Sequence, residues 1–106
     1  MTNKLDDIAL DAFKLAFDLG QIARLRPEAT LPFPLCEIAD TASVADLAER
    51  LNAIHTVLRI IAETSNAYLN AEALDGLQDQ FYPARQYLKS DLAKEVKEEI
   101  IEAIMA

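Results

Sequence analysis

The sequence predicts an all-α fold, a compact bundle of four to five helices with one long proline-containing connector at residues 26–43. Three observations lead there. Only two glycines and four prolines punctuate 106 residues. Each long stretch between these marks repeats apolar residues at the three- and four-residue spacing of a helix face. No segment alternates apolar and polar residues as a half-buried strand does.

The first predicted helix begins near Thr2 or Asn3, either of which can cap it, with Asp6 and Asp7 in the first turn where the helix dipole favours carboxylates. Asp7, Asp11, Lys14, Asp18 and Gln21 recur every three or four residues and form a single narrow polar stripe. Leu5, Ile8, Phe13, Leu15, Phe17, Leu19, Ile22 and Leu25, with alanines between them, cover most of the remaining girth. A surface helix needs an apolar stripe only about 100° wide. This helix is therefore either central in the fold or buried against a second chain, and Phe13 and Phe17 are the candidate self-association residues of a homodimer. Gly20, which costs about 1 kcal/mol relative to alanine inside a helix, marks either a close helix crossing or an early end. Pro27 stops the helix, because the residue before a proline disfavours the α region.

The connector at 26–43 holds Pro27, Pro32 and Pro34 together with Leu31, Phe33, Leu35 and Ile38. That apolar content predicts a packed strap, with Pro34 opening a single helical turn through Asp40. Ser43 followed by Asp46 predicts an N-cap. From it a second long helix carries Val44, Leu47, Ala48, Leu51, Ile54, Val57, Leu58, Ile61 and Ala62 on one side and ends between Thr64 and Asn70. Asn70 caps a third helix through Leu74, Leu77, Phe81 and Leu88, which Pro83 must kink or split. Ser90 caps the last helix, in which Leu92, Val96, Ile100, Ile101 and Ile104 are expected to face inward.

At this length the chain is expected to be a single helical domain, residues 1–106, built on one core. Hydrophobic residues make up 52% of it, more than a small core readily absorbs. Eighteen acidic against ten basic side chains give a net charge of −8. That field repels a polyanion, makes nucleic acid an unfavourable partner and favours a protein with a basic surface. Cys36, the single cysteine, has no partner for an internal disulfide, and no basic-then-apolar leader opens the sequence, so a cytoplasmic protein is expected. No apolar run approaches the roughly 18 residues of a membrane span.

No constellation carries chemistry. Cys36 and His55 are the single thiol and the single imidazole, with nothing in the sequence to bring them together. The residue three before His55 is Asn52 rather than the glutamate of a di-iron bundle, zinc would need more thiols and imidazoles, and two isolated glycines cannot build a phosphate loop. Glu95, Glu98, Glu99 and Glu102 read as a solvated face. The expectation is a protein that is not an enzyme and takes no cofactor or metal.

Two patterns point to binding. Phe81, Tyr82, Arg85 and Tyr87 gather around Pro83, and Tyr and Arg dominate binding hot spots, so these four are candidate partner-binding residues; alternatively Phe81, Tyr82 and Tyr87 complete the core with the hydroxyls at its rim. Residues 43–61 resemble a helix-turn-helix segment, with Ala48 at the crossing and Asn52 at the turn, in which His55, Thr56 and Arg59 would read DNA; one uninterrupted helix fits them equally well. The reading that follows is a small acidic protein-interaction module, a regulator, inhibitor or adaptor that occupies the surface of a partner protein. Small accessory proteins of mobile elements often have this length and acidity. The alternative is a helix-turn-helix transcriptional regulator.

Overall fold

The computed structural model describes residues 4–63 and 71–105, with side chains for residues 5–63 and 76–105. Within them the protein is all-α, with five helices: α1 (Lys4–Leu25), α2 (Leu35–Ile38), α3 (Val44–Glu63), α4 (Ala71–Leu88) and α5 (Asp91–Met105). The expected caps at Thr2, Asn3 and Asn70, the end of the second long helix between Thr64 and Asn70, and the side chain of Leu74 lie outside the described residues. No described helix is long and apolar enough to cross a membrane.

Helix α1 is the spine of the bundle, packed chiefly along α3 and then against α4 and α5. Its inner face explains the closeness of that packing. Leu5, Ile8, Leu15, Leu19 and Ile22 are buried together with Ala9, Ala12 and Ala16. The alanines leave room for α3 to approach, and α3 answers with Val44, Leu47, Ala48, Leu51 and Leu58. Phe81, Pro83, Ala84 and Tyr87 of α4, Ala93 and Val96 of α5, and Leu31 and Ala39 of the connector complete the buried set among the described residues.

Both serine caps form as expected. The Asp46 amide donates to Ser43 Oγ at 3.2 Å, and the Ala93 amide donates to Ser90 Oγ at 3.2 Å. Each satisfies one of the orphan donors of a helix start. Pro83 does not split α4, which runs through it as one helix. An interior proline costs about 3 kcal/mol or more, and the burial of its ring offsets part of that cost.

The connector is a strap tied at both ends. Thr30 and Ser43 form an isolated antiparallel bridge, in which the Leu31 amide donates to the Ala42 carbonyl at 2.7 Å and the Val44 amide to that of Ala29 at 3.2 Å. Helix α2 supplies the single turn expected after Pro34, and the Phe33–Pro34 peptide is cis. Asp40 follows with φ of 56°, a left-handed conformation that aspartate tolerates. From that position the Asp40 amide reaches the Glu37 carbonyl and the Thr41 amide that of Cys36, both at 3.2 Å, the paired closure of a Schellman end. Arg50 of α3 then donates to the carbonyls of Ala39 and Asp40, holding the strap onto the bundle. The expected packing of the connector is only partial: Leu31 is buried and Leu35 half-buried, whereas Phe33 and Ile38 are exposed.

Candidate interaction surface

The residues singled out in the sequence fall into three groups with different surroundings. Around Pro83, Phe81 and Tyr87 are 0% and 1% exposed. Their rings are core and are not presented to a partner. The Tyr87 hydroxyl has no hydrogen-bond partner among the described residues, and burial pushes its pKa up. Tyr82 is exposed. Arg85 lies over the Phe81 ring, 5.6 Å from its centroid, and Arg85 Nη2 stands 3.4 Å from Asp11 Oδ2. It therefore serves as a lid on the core and a tie between α4 and α1.

Phe13 and Phe17 have the opposite placement, 45% and 56% exposed on the outer face of α1. One turn apart, their rings stack with centroids 6.4 Å apart. Leu10, also exposed, extends the ridge by one turn. Shallow clefts flank it on both sides. His55 and Arg59 of α3 share one with Leu10 and Phe13; Ala48, Glu49 and Asn52 share another with Phe13 and Phe17; and Lys97, Ile100 and Ile101 of α5 share a third with Phe17. The ridge thus runs along α1 between α3 and α5 and meets Ile101.

The helix-turn-helix expectation is corrected. Helix α3 is continuous from Val44 to Glu63, with Asn52 inside it rather than at a turn. Only an unbroken helix places Leu47, Leu51 and Leu58 on one line against α1. His55 faces α1 as well: its Nδ1 lies 3.0 Å from the Ala9 carbonyl, which can only accept, so that nitrogen carries the proton. Its ring sits 5.1 Å from that of Phe13. Thr56 donates to the Asn52 carbonyl at 3.0 Å, and Arg59 pairs with Glu63 at 3.8 Å. The three do not form a common reading edge.

Helix α5 also departs from expectation. Ala93 and Val96 are buried and Ile100 half-buried, but Leu92 and Ile101 are exposed and Ile104 is 77% exposed. Its polar ties come from its middle, where Arg26, just past the end of α1, donates through Nη2 to Glu99 Oε1 and Oε2 at 2.8 and 2.6 Å and Lys97 stands 3.8 Å from Asp18 of α1. The last turn runs past these ties, leaving Ile104 and Met105 uncovered by any described residue. Glu95, Glu98 and Glu102, on the side of α5 away from α1, are exposed beside this apolar end.

No hydrogen bond joins Cys36, half-buried on α2, to His55. Among the described residues no group of three or more His, Cys, Asp or Glu side chains is placed to hold a metal ion. Compared with protein families, curated proteins and solved structures, the chain matches none.

The α1 ridge was half legible in the sequence, through Phe13 and Phe17. Leu10 and the uncovered end of α5 were missed. The signal for Leu10 was its position three residues before Phe13 on the same arc; for α5 there was none, since an apolar stripe reads alike whether or not a neighbour reaches it.

Proposed function

We propose that the chain is a small acidic protein-interaction module, a regulator, inhibitor or adaptor that acts by occupying a basic surface of a partner protein in a reducing, cytoplasmic setting, and that it works as a homodimer. The observation that carries this reading is the end of α5, where Ile101, Ile104 and Met105 are exposed next to Glu98 and Glu102. Exposed apolar side chains supply area to bury, and the bordering carboxylates select a basic groove over an acidic or neutral one. The net charge of −8 steers the encounter. Self-association is supported separately by the exposed Phe13 and Phe17 of α1.

Affinity capture from the native lysate with the wild-type chain and with an Ile101→Asp/Ile104→Asp variant tests the partner reading. The wild type should retain a basic protein in stoichiometric amount, released by raised salt, and the variant should lose it while keeping its helical circular dichroism. Equal recovery by both, or recovery of the bait alone, would overturn the reading.

A further inference from the structure

The outer face of α1 carries a pattern that matches itself when reversed. Asp6, Leu10, Phe13, Phe17, Gly20 and Arg24 follow one another at alternating spacings of four and three residues, the spacing of a helix–helix seam. Turned end for end about the level of Leu15, the series falls on itself: Asp6 meets Arg24, Leu10 meets Gly20 and Phe13 meets Phe17. Each match is chemically favourable. Acid meets base, a bulky side chain meets the one residue without a side chain, and two aromatic rings meet.

We infer that two copies of the chain pair through α1 in antiparallel register, with Asp6, Leu10 and Phe13 of each copy set against Arg24, Gly20 and Phe17 of the other. This inference rests on the homodimer reading above and specifies its geometry. All five side chains lie on the surface, with Leu10, Phe13 and Phe17 exposed as large apolar groups. Asp6 and Arg24 have no charged partner among the described residues. A Cβ added at Gly20 would meet nothing within 4 Å. Nothing in this chain's own packing requires glycine there, whereas a facing Leu10 does.

The charge distribution favours the same occupant. Asp6, Asp18 and Glu49 border the clefts along the ridge beside Arg59 and Lys97, and Arg24 stands at the end of the series, so acids and bases balance here, this face lacks the acidic excess of the rest of the molecule, and two copies can approach along it. Asp6 and Arg24 stand about 27 Å apart at 1.5 Å per residue. The two ion pairs therefore close opposite ends of the seam, and an isologous two-fold contact makes both at once.

Sedimentation equilibrium of the purified protein and five variants tests the register. Asp6→Arg and Arg24→Asp should each weaken association on the order of tenfold, because two exposed pairs per dimer change from attraction to repulsion, and the double variant should restore it. A parallel pairing would place like residues opposite each other and show no restoration. Gly20→Leu should weaken association while raising the melting temperature, since leucine is a far better helix former. Phe13→Glu should give soluble, helical monomer. A dimer indifferent to the charge changes, or one that the double variant fails to restore, overturns the register and leaves self-association standing; a wild-type monomer at high micromolar concentration overturns both.

Discussion

Two aromatic pairs that look interchangeable in the sequence have opposite fates. Phe81 and Tyr87 on α4 are sealed into the core, and Phe13 and Phe17 on α1 face outward. The difference lies in what surrounds each pair on its own helix. The face of α1 that meets α3 is lined with Ala9, Ala12 and Ala16, so the two backbones approach closely and leave no volume for a ring; the two phenylalanines of α1 lie outside that contact. Helix α4 has no such alanine face, and its rings fill the space that its neighbours leave. Small residues, more than large ones, decide which aromatic side chains a bundle keeps inside.

The sharpest way to break this comparison is to remove one ring from each pair. Phe81→Ala should cost about 3–5 kcal/mol, the usual range for emptying a buried phenylalanine site, enough to unfold much of a small domain. Phe17→Ala should leave the denaturation midpoint of the monomer nearly unchanged. Similar losses at both positions would refute the inside–outside assignment. Next in size is Ala12→Leu, which puts a large side chain into the close α1–α3 contact and should cost about 1–3 kcal/mol through overpacking. If it proved neutral in thermal melts, the role given to the alanine face would fail.

The smallest effect concerns Tyr87, whose hydroxyl is buried without a partner. Tyr87→Phe removes that atom and should be neutral or slightly stabilising. The consequence for pH has a definite sign. Burial raises the pKa of the folded form above the ordinary tyrosine value of 10.0, so the unfolded chain loses this proton first and stability falls as the pH rises past that value. Urea midpoints of the wild type should drop in that range more than those of Tyr87→Phe. Parallel curves would show that the hydroxyl is solvated.

Local features were legible in the sequence because a few neighbouring residues determine them. Ser43 and Ser90 cap α3 and α5 through amides three residues away, and the turn after Pro34 forms where the proline sets it. Features that depend on distant segments were not legible. Residues 43–61 carry the same apolar spacing whether broken or continuous, and only α1 lying along the whole of α3 decides for the continuous helix. Pro83 reads as a break until the ring is seen to be buried. The stripe of α5 reads as core, yet α1 meets only the middle of that helix. Of the candidate surface, Phe13 and Phe17 could be picked out but their outward direction could not, because it follows from packing on the far side of α1.

The tied connector has a consequence for how the protein can change. With the bridge between Thr30 and Ser43 closing its base and Arg50 holding its helical turn by two carbonyls, the intervening segment is a self-contained compartment of chain. Lengthening it adds little closure entropy, about 0.6 kcal/mol for each doubling of a loop. Its tip, at the exposed Phe33, is therefore a place where residues can be gained, lost or exchanged while the bundle keeps its shape. Sequence novelty can accumulate there at little cost to folding.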